Sequence, residues 1–223
     1  MSSKLPDIYL NPGKFIDSDA PAIIDFAKQT VGNISGKTAR AMVLYHAIRD
    51  GWRYDPYRID LRPEAMKASA LLTRDHGYCI EKANLLAAAA RSLGIPARLG
   101  FANVKNHIGT EKLEKLLKTN LMVFHGFTEL YLNGKWVKAT PAFNKQLCKK
   151  LSVKPLDFNG RDDSIFQQYA ADGSRFMEYV HNYGHFADVP RDLFIQELRK
   201  YYPHVFEKTV AGKMLSAVRE NGR

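Results

Sequence analysis

A chain of 223 residues is long enough for one domain of ordinary size with a full apolar core. Hydrophobic residues make up 45% and charged residues 25%, a globular rather than disordered balance, and no apolar run approaches the roughly 20 residues that span a bilayer. A net charge of +10, from 33 basic and 23 acidic residues, favours acidic partners or substrates. No zinc-finger spacing, RNP-like string or Walker-type glycine loop accompanies that charge, which argues against dedicated nucleic-acid recognition.

The basic residues gather in 105–118, in 145–154 and toward the C-terminus, and read as solvated surface. The N-terminus has no apolar segment of secretory length and no small-residue cleavage pattern. Only Cys79 and Cys148 carry thiols, too few for a disulfide framework, so the expectation is a cytoplasmic protein with both thiols reduced.

Residues 1–18, broken by Pro6, Pro12 and Gly13, read as a lead-in. Asp19 then caps a helix reaching about Thr30, with Pro21 in its first turn and Ile23, Ile24, Phe26 and Ala27 on its apolar face. A second helix, over 37–50, carries Ala41, Leu44, Tyr45 and Ile48 at helical spacing. It leads into Trp52 and Tyr54 and stops at Pro56.

After Gly77, the positions Cys79, Ala83, Leu86, Ala90 and Leu93 recur at helical spacing, with Glu81, Lys82, Asn84 and Arg91 elsewhere on the helix. Gly94 caps it and Pro96 prevents its resumption. Cys79 therefore falls in the first turn, where unpaired backbone N–H groups and the helix dipole favour a thiolate.

Residues 98–104 alternate as a strand, and a short basic amphipathic helix follows over 110–118. The stretch 122–140 reads as a hairpin about Asn133-Gly134, the pair that suits a two-residue type I′ turn. That turn sets Leu132 against Lys135, Tyr131 against Trp136, Glu129 against Lys138 and Phe127 against Thr140. His125 then shares a face with Thr140, which lies diagonally beside it. The remainder, 155–219, reads as mostly helical, with helices near 191–200 and 204–219 packed on the core.

A helix-borne thiol with a histidine beside it is the arrangement of nucleophilic catalysis, the imidazole taking the thiol proton and returning it to a leaving amine. The stretches Gly77-Tyr78-Cys79-Ile80-Glu81-Lys82-Ala83 and Arg91-Ser92-Leu93-Gly94-Ile95-Pro96-Ala97-Arg98 resemble the nucleophile helix of transglutaminase-like proteins. The histidine strand HGFTELYLNGKW and the following WVKATP extend the resemblance over roughly 40–144.

The resemblance implies an α+β, papain-like fold in which a nucleophile-bearing helix packs on an antiparallel β-sheet. The chain itself reads as a single domain of 1–223, with a core of about 19–144 and 145–223 as a mainly helical extension. The resemblance further implies a Cys–His–Asp arrangement that needs no metal and no cofactor, acting on peptide, protein or small amide substrates. The family's aspartate is replaced here by Thr140, before Pro141. A threonine hydroxyl can orient a neutral imidazole but cannot stabilise imidazolium as a carboxylate does. The orienter is therefore Thr140, then Asn144, with Glu129 or a distant aspartate as further alternatives.

Trp52 and Tyr54 read as site wall or core aromatics, His107 as an exposed histidine, and Cys148 as an ordinary thiol outside any helix or strand. The trio His181, His185 and Asp188 has a spacing that metal ligands use, but reads as structural. Two functions follow: a thiol-dependent amide hydrolase or acyltransferase working through a Cys79 thioester with His125 as base, or a catalytically weakened module that binds an acidic protein or nucleic acid.

Overall fold

The computed structural model describes residues 6–107, 111–165, 172–174 and 176–206. In chain order the elements are α1 (Pro21–Val31), α2 (Lys37–Gly51), β1 (Arg53–Tyr54), α3 (Ala68–Leu71), β2 (His76–Gly77), α4 (Cys79–Ser92) and β3 (Ala97–Asn106). There follow α5 (Glu111–Leu117), β4 (Leu121–Leu132), β5 (Lys135–Ala139), α6 (Lys145–Lys150), β6 (Met177–Phe186), α7 (Arg191–Tyr201) and α8 (Pro203–Phe206). The protein has the expected α+β architecture: an antiparallel sheet of order β5-β4-β3-β6 with α4 packed on it, and α1, α2 and α3 against α4.

The first helix starts at Pro21 with Ala20, not Asp19, as its N-cap. A residue before proline is held extended, and Ala20 sits at ψ 130°, so the cap falls one position later than the side-chain chemistry suggests. The helix α4 ends as the sequence reads: Gly94 takes φ 70°, the Ile95 N–H donates to Ala90 O and the Gly94 N–H to Arg91 O, a Schellman closure.

Its burial departs from the one-stripe reading. Every residue from Cys79 to Arg91 is buried, because sheet and helices enclose α4 on all sides. Its polar side chains consequently serve as internal ties. The Lys82 ammonium donates to three carbonyls, Arg49 O at 2.8 Å, Trp52 O at 2.9 Å and Ala142 O at 2.8 Å. Asn84 reaches Phe15 O and Met66 O, and Arg91 reaches Ala97 O, Asn11 O and Ala187 O.

The hairpin register is as read from the turn for Leu132↔Lys135, Tyr131↔Trp136 and Glu129↔Lys138. Asn133 and Gly134 take φ 51° and 85°, the positive pair that type I′ requires. The pairing ends one step early. Phe127 does not meet Thr140, because the Thr140 N–H donates to Ser164 O at 2.8 Å and the chain leaves the sheet after Ala139.

The region after 145 holds more strand than its sequence suggests. The ten-residue β6 joins the sheet beside β3, where a mostly helical run was expected. As an edge strand it is largely exposed, so its residues lack the apolar alternation that marks a half-buried strand. The helix near 191–200 is present as α7; of the one near 204–219, Pro203–Phe206 is helical and the rest lies outside the described residues.

Candidate active site

Cys79 opens α4 directly after Gly77 and Tyr78. Gly77 pairs with Tyr54 across the small parallel β1–β2 sheet, and Tyr78 is extended at φ −100°, ψ −179°. The Glu81 side chain turns back to accept the Tyr78 N–H at 3.1 Å, closing the first turn, and pairs with Arg74 at 2.9 Å. Backbone N–H groups of Gly126, Ile80 and Cys79 itself stand near enough to the Cys79 sulfur to favour its thiolate form. Two of these belong to the helix start; Gly126 belongs to β4 and follows His125.

The contact with β4 depends on Gly126 having no side chain. A Cβ there would stand 3.1 Å from both the Ile80 Cα and its Cγ1. Helix and strand backbones thus approach at the point that bears both candidate catalytic residues.

Cys79 is 7% exposed, and burial pushes its thiol up to about 11, against the partial opposition of the three N–H groups. This overturns the expectation of a depressed thiol: desolvation of the thiolate outweighs the helix terminus. His125, 6% exposed, is held down at about 4, again by burial. Both groups are neutral in the resting site at pH 7.

His125 follows a bulge in β4. Ala102 pairs with His125 and Val104 with Met122, so Asn103 stands opposite two residues, Val123 and Phe124. Phe124 has φ 61°, and its N–H donates to the buried Asn103 Oδ1 at 2.9 Å. Stacking on Phe101, with centroids 4.5 Å apart, fixes the Phe124 ring. No feature of the sequence announces this bulge.

The structure divides the other expected site residues. The Thr140 hydroxyl is buried without a hydrogen-bond partner, so it does not engage His125 at rest. Asn144 uses its Oδ1 to accept the Tyr54 N–H at 3.1 Å, placing it behind Tyr54. Glu129 is paired with Arg98, whose guanidinium lies 4.1 Å from the Trp136 ring centroid. Trp52 is core: its indole N–H donates to Leu71 O at 2.9 Å and its ring packs on Phe26. Tyr54 belongs to the site, with its hydroxyl on the Cys79 thiol and its ring against Phe143.

Cys79 and His125 line one small cavity of about 60 Å³, together with Tyr54, Tyr78 and Phe194. Tyr78, one of its lining residues, has a buried hydroxyl with no hydrogen-bond partner. Tyr202 completes the wall from the far end of the chain. Its hydroxyl donates to Leu121 O at 2.6 Å and accepts the Val123 N–H at 2.8 Å, bridging the strand that carries His125. Tyr202, Phe194, Gly126 and Tyr78 are site residues that the sequence reading missed. Tyr78 and Gly126 adjoin Cys79 and His125 and could have been found by adjacency; nothing local marks the other two.

Elsewhere, His107 pairs with Glu178 at 3.1 Å, and Asp188 accepts the N–H groups of Phe15, Ile16 and Val189. His181 packs edge-on to Tyr183. Among the described residues no group of three or more His, Cys, Asp or Glu is placed to hold a metal. Cys148, expected outside regular structure, lies buried in α6 with its sulfur 3.8 Å from Phe143 O.

Solved structures similar to the chain include two bacterial ones. One is a candidate cysteine protease from Cytophaga hutchinsonii, 19% identical with TM-score 0.49, covering 82% of this chain and 55% of its own. The other is a candidate protease from Parabacteroides distasonis, 13% identical with TM-score 0.37, covering 56% of this chain and 25% of its own. The chain thus spans about half the length of the first and a quarter of the second. No curated protein matches it. The model of the transglutaminase-like superfamily matches residues 24–141, more than half of the sequence, from within α1 to just past the hairpin. The chain belongs to the transglutaminase-like superfamily.

Proposed function

We propose that this protein is a cysteine-dependent amide hydrolase or acyltransferase, with Cys79 as nucleophile and His125 as its base. One observation carries the reading. Cys79 at the start of α4 and His125 on β4 line the same cavity, where Gly126 brings the strand backbone against Ile80.

The Cys79 S–H proton passes to the neutral His125 ring as the sulfur attacks the substrate carbonyl carbon. Negative charge moves to the carbonyl oxygen, where the Ile80 and Gly126 N–H groups, and the unpartnered Tyr78 hydroxyl, are the available donors. Collapse of the intermediate breaks the C–N bond, and the imidazolium returns its proton to the leaving amine. The remaining thioester is released by water, or by an amine in a transfer reaction. Thr140 is assigned as the orienter of His125; its buried hydroxyl has no other partner. Two free thiols suit a reducing compartment, so we place the protein in the cytoplasm. Its substrates in this reading are peptides, proteins or small amides.

A second reading, a binding module that has kept the fold and lost its rate, draws on the threonine at position 140 and the uncharged thiol and imidazole. A small activated ester, p-nitrophenyl acetate, separates the two. The enzymatic reading expects one hydroxylamine-labile acetyl group on Cys79 by intact mass, absent from Cys79→Ala. It expects acylation slowed by about a hundredfold or more in His125→Ala. Acetyl groups found only on lysines, at a rate indifferent to His125, would establish the binding module instead.

A further inference from the structure

A second, larger hollow of about 400 Å³ opens beside the Cys79 cavity and shares Tyr54, Pro56, Leu113 and Met122 with it. Its volume is that of a ligand pocket. Tyr57, Phe143, Leu147 and Leu151 make its walls largely apolar. Two exposed lysines line it as well, Lys112 from α5 and Lys150 from α6. Among the described residues no aspartate or glutamate lines either hollow.

Two other lysines of these helices are paired with carboxylates. On α5, Lys115 pairs with Glu111 at 3.2 Å, and on α6, Lys145 pairs with Asp50 at 3.6 Å. Lys112 and Lys150 make no ion pair among the described residues; Lys112 only overlies the Tyr57 ring at 5.4 Å. Lys112 and Lys150 thus border the hollow with no carboxylate paired to them among the described residues. Positive charge against apolar walls focuses the field on whatever enters between them.

We propose that this hollow takes an acidic side chain of a peptide substrate, its carboxylate held between Lys112 and Lys150 while the adjoining amide reaches Cys79. The assignment rests on Cys79 being the reacting thiol. A carboxylate on a short side chain fits a bounded, mostly apolar recess. A phosphate backbone would need a basic track open at both ends.

The test uses full-length Cys79→Ala, which can bind without turnover, and the same chain carrying Lys112→Gln and Lys150→Gln. The probes are fluorescent, end-blocked pentapeptide pools with varied apolar flanks and a central Glu or Gln, read by anisotropy. The Glu pool is expected to bind about five- to tenfold more tightly, the scale of two partly exposed ion pairs, and the lysine double variant to bring both pools within about twofold. Equal affinities, no measurable binding, or a Glu preference that survives the double variant would each overturn the proposal. Displacement of the Glu pool by inorganic phosphate at concentrations where acetate has no effect would also overturn it, assigning the hollow to phosphate. Both lysines are exposed, so the variants keep the fold, which a thermal melt checks. Failure of Cys79 to acetylate in the wild type would sink the enzymatic reading and leave a Glu preference standing.

Discussion

Burial of a titratable ring ties the site to the stability of the fold. His125 sits at about 4 in the folded protein and near 6.5 when unfolded. Between those values the unfolded chain binds a proton that the native ring refuses, so stability from this residue is complete above pH 6.5 and is lost as pH falls toward 4. At pH 4.5 the loss amounts to about 2.5 kcal/mol. Urea titrations at pH 7.5 and 4.5 should show wild type losing about that much more than His125→Gln. Equal losses would mean that the ring is solvated or charged in the native state. At this scale the sequence was informative about identity and silent about environment. Cys79 and His125 stand out by motif, yet motif led to a depressed thiol where burial raises it. Thr140 shares the sequence position of the family's aspartate, but Ser164, 24 residues further on, captures its backbone N–H and bends the chain away.

Two elements meet at the site, and a missing methyl group sets how closely. Gly126→Ala would put a Cβ 3.1 Å from the Ile80 Cα, a backbone atom that cannot swing aside. The start of α4 must then move off β4 by a few tenths of an ångström. Overpacking of this kind costs about 1–3 kcal/mol in stability. Because the Gly126 N–H stands near the Cys79 sulfur, acetylation of Cys79 should slow by at least about tenfold. Unchanged acetylation alongside lowered stability would show that the Gly126 N–H is no part of the machinery. Elements with local signals were legible. The Asn133-Gly134 turn gave the hairpin register, and the apolar run ending in Gly94-Ile95-Pro96 gave the extent of α4. The strand β6 was not legible, since an exposed edge strand such as Met177–Phe186 has little reason to alternate. The bulge at Phe124 depends on Asn103, 21 positions away, and leaves no pattern in β4 itself.

At the level of the whole molecule, the site is closed by chain lying far from it in sequence. Phe194 and Leu198 of α7, with Tyr202 beyond its end, roof the cavity that holds Cys79 and His125. Under the proposed chemistry this roof would limit access to the sulfur, giving α7 a role beyond completing the core. Among the described residues the Tyr202 hydroxyl fastens roof to β4 through two bonds, to Leu121 O and from the Val123 N–H. Tyr202→Phe keeps the ring and its packing but removes both bonds, leaving a buried N–H without an acceptor. The variant should lose about 1–3 kcal/mol in stability. Iodoacetamide should alkylate its Cys79 several-fold faster than in wild type at the same pH, because the buried thiol reacts only from opened molecules. Alkylation must be read well below the unfolding midpoint, where global unfolding contributes nothing. An unchanged rate there, with the stability loss present, would show that reagents reach Cys79 by another path and that α7 is packing without a gate.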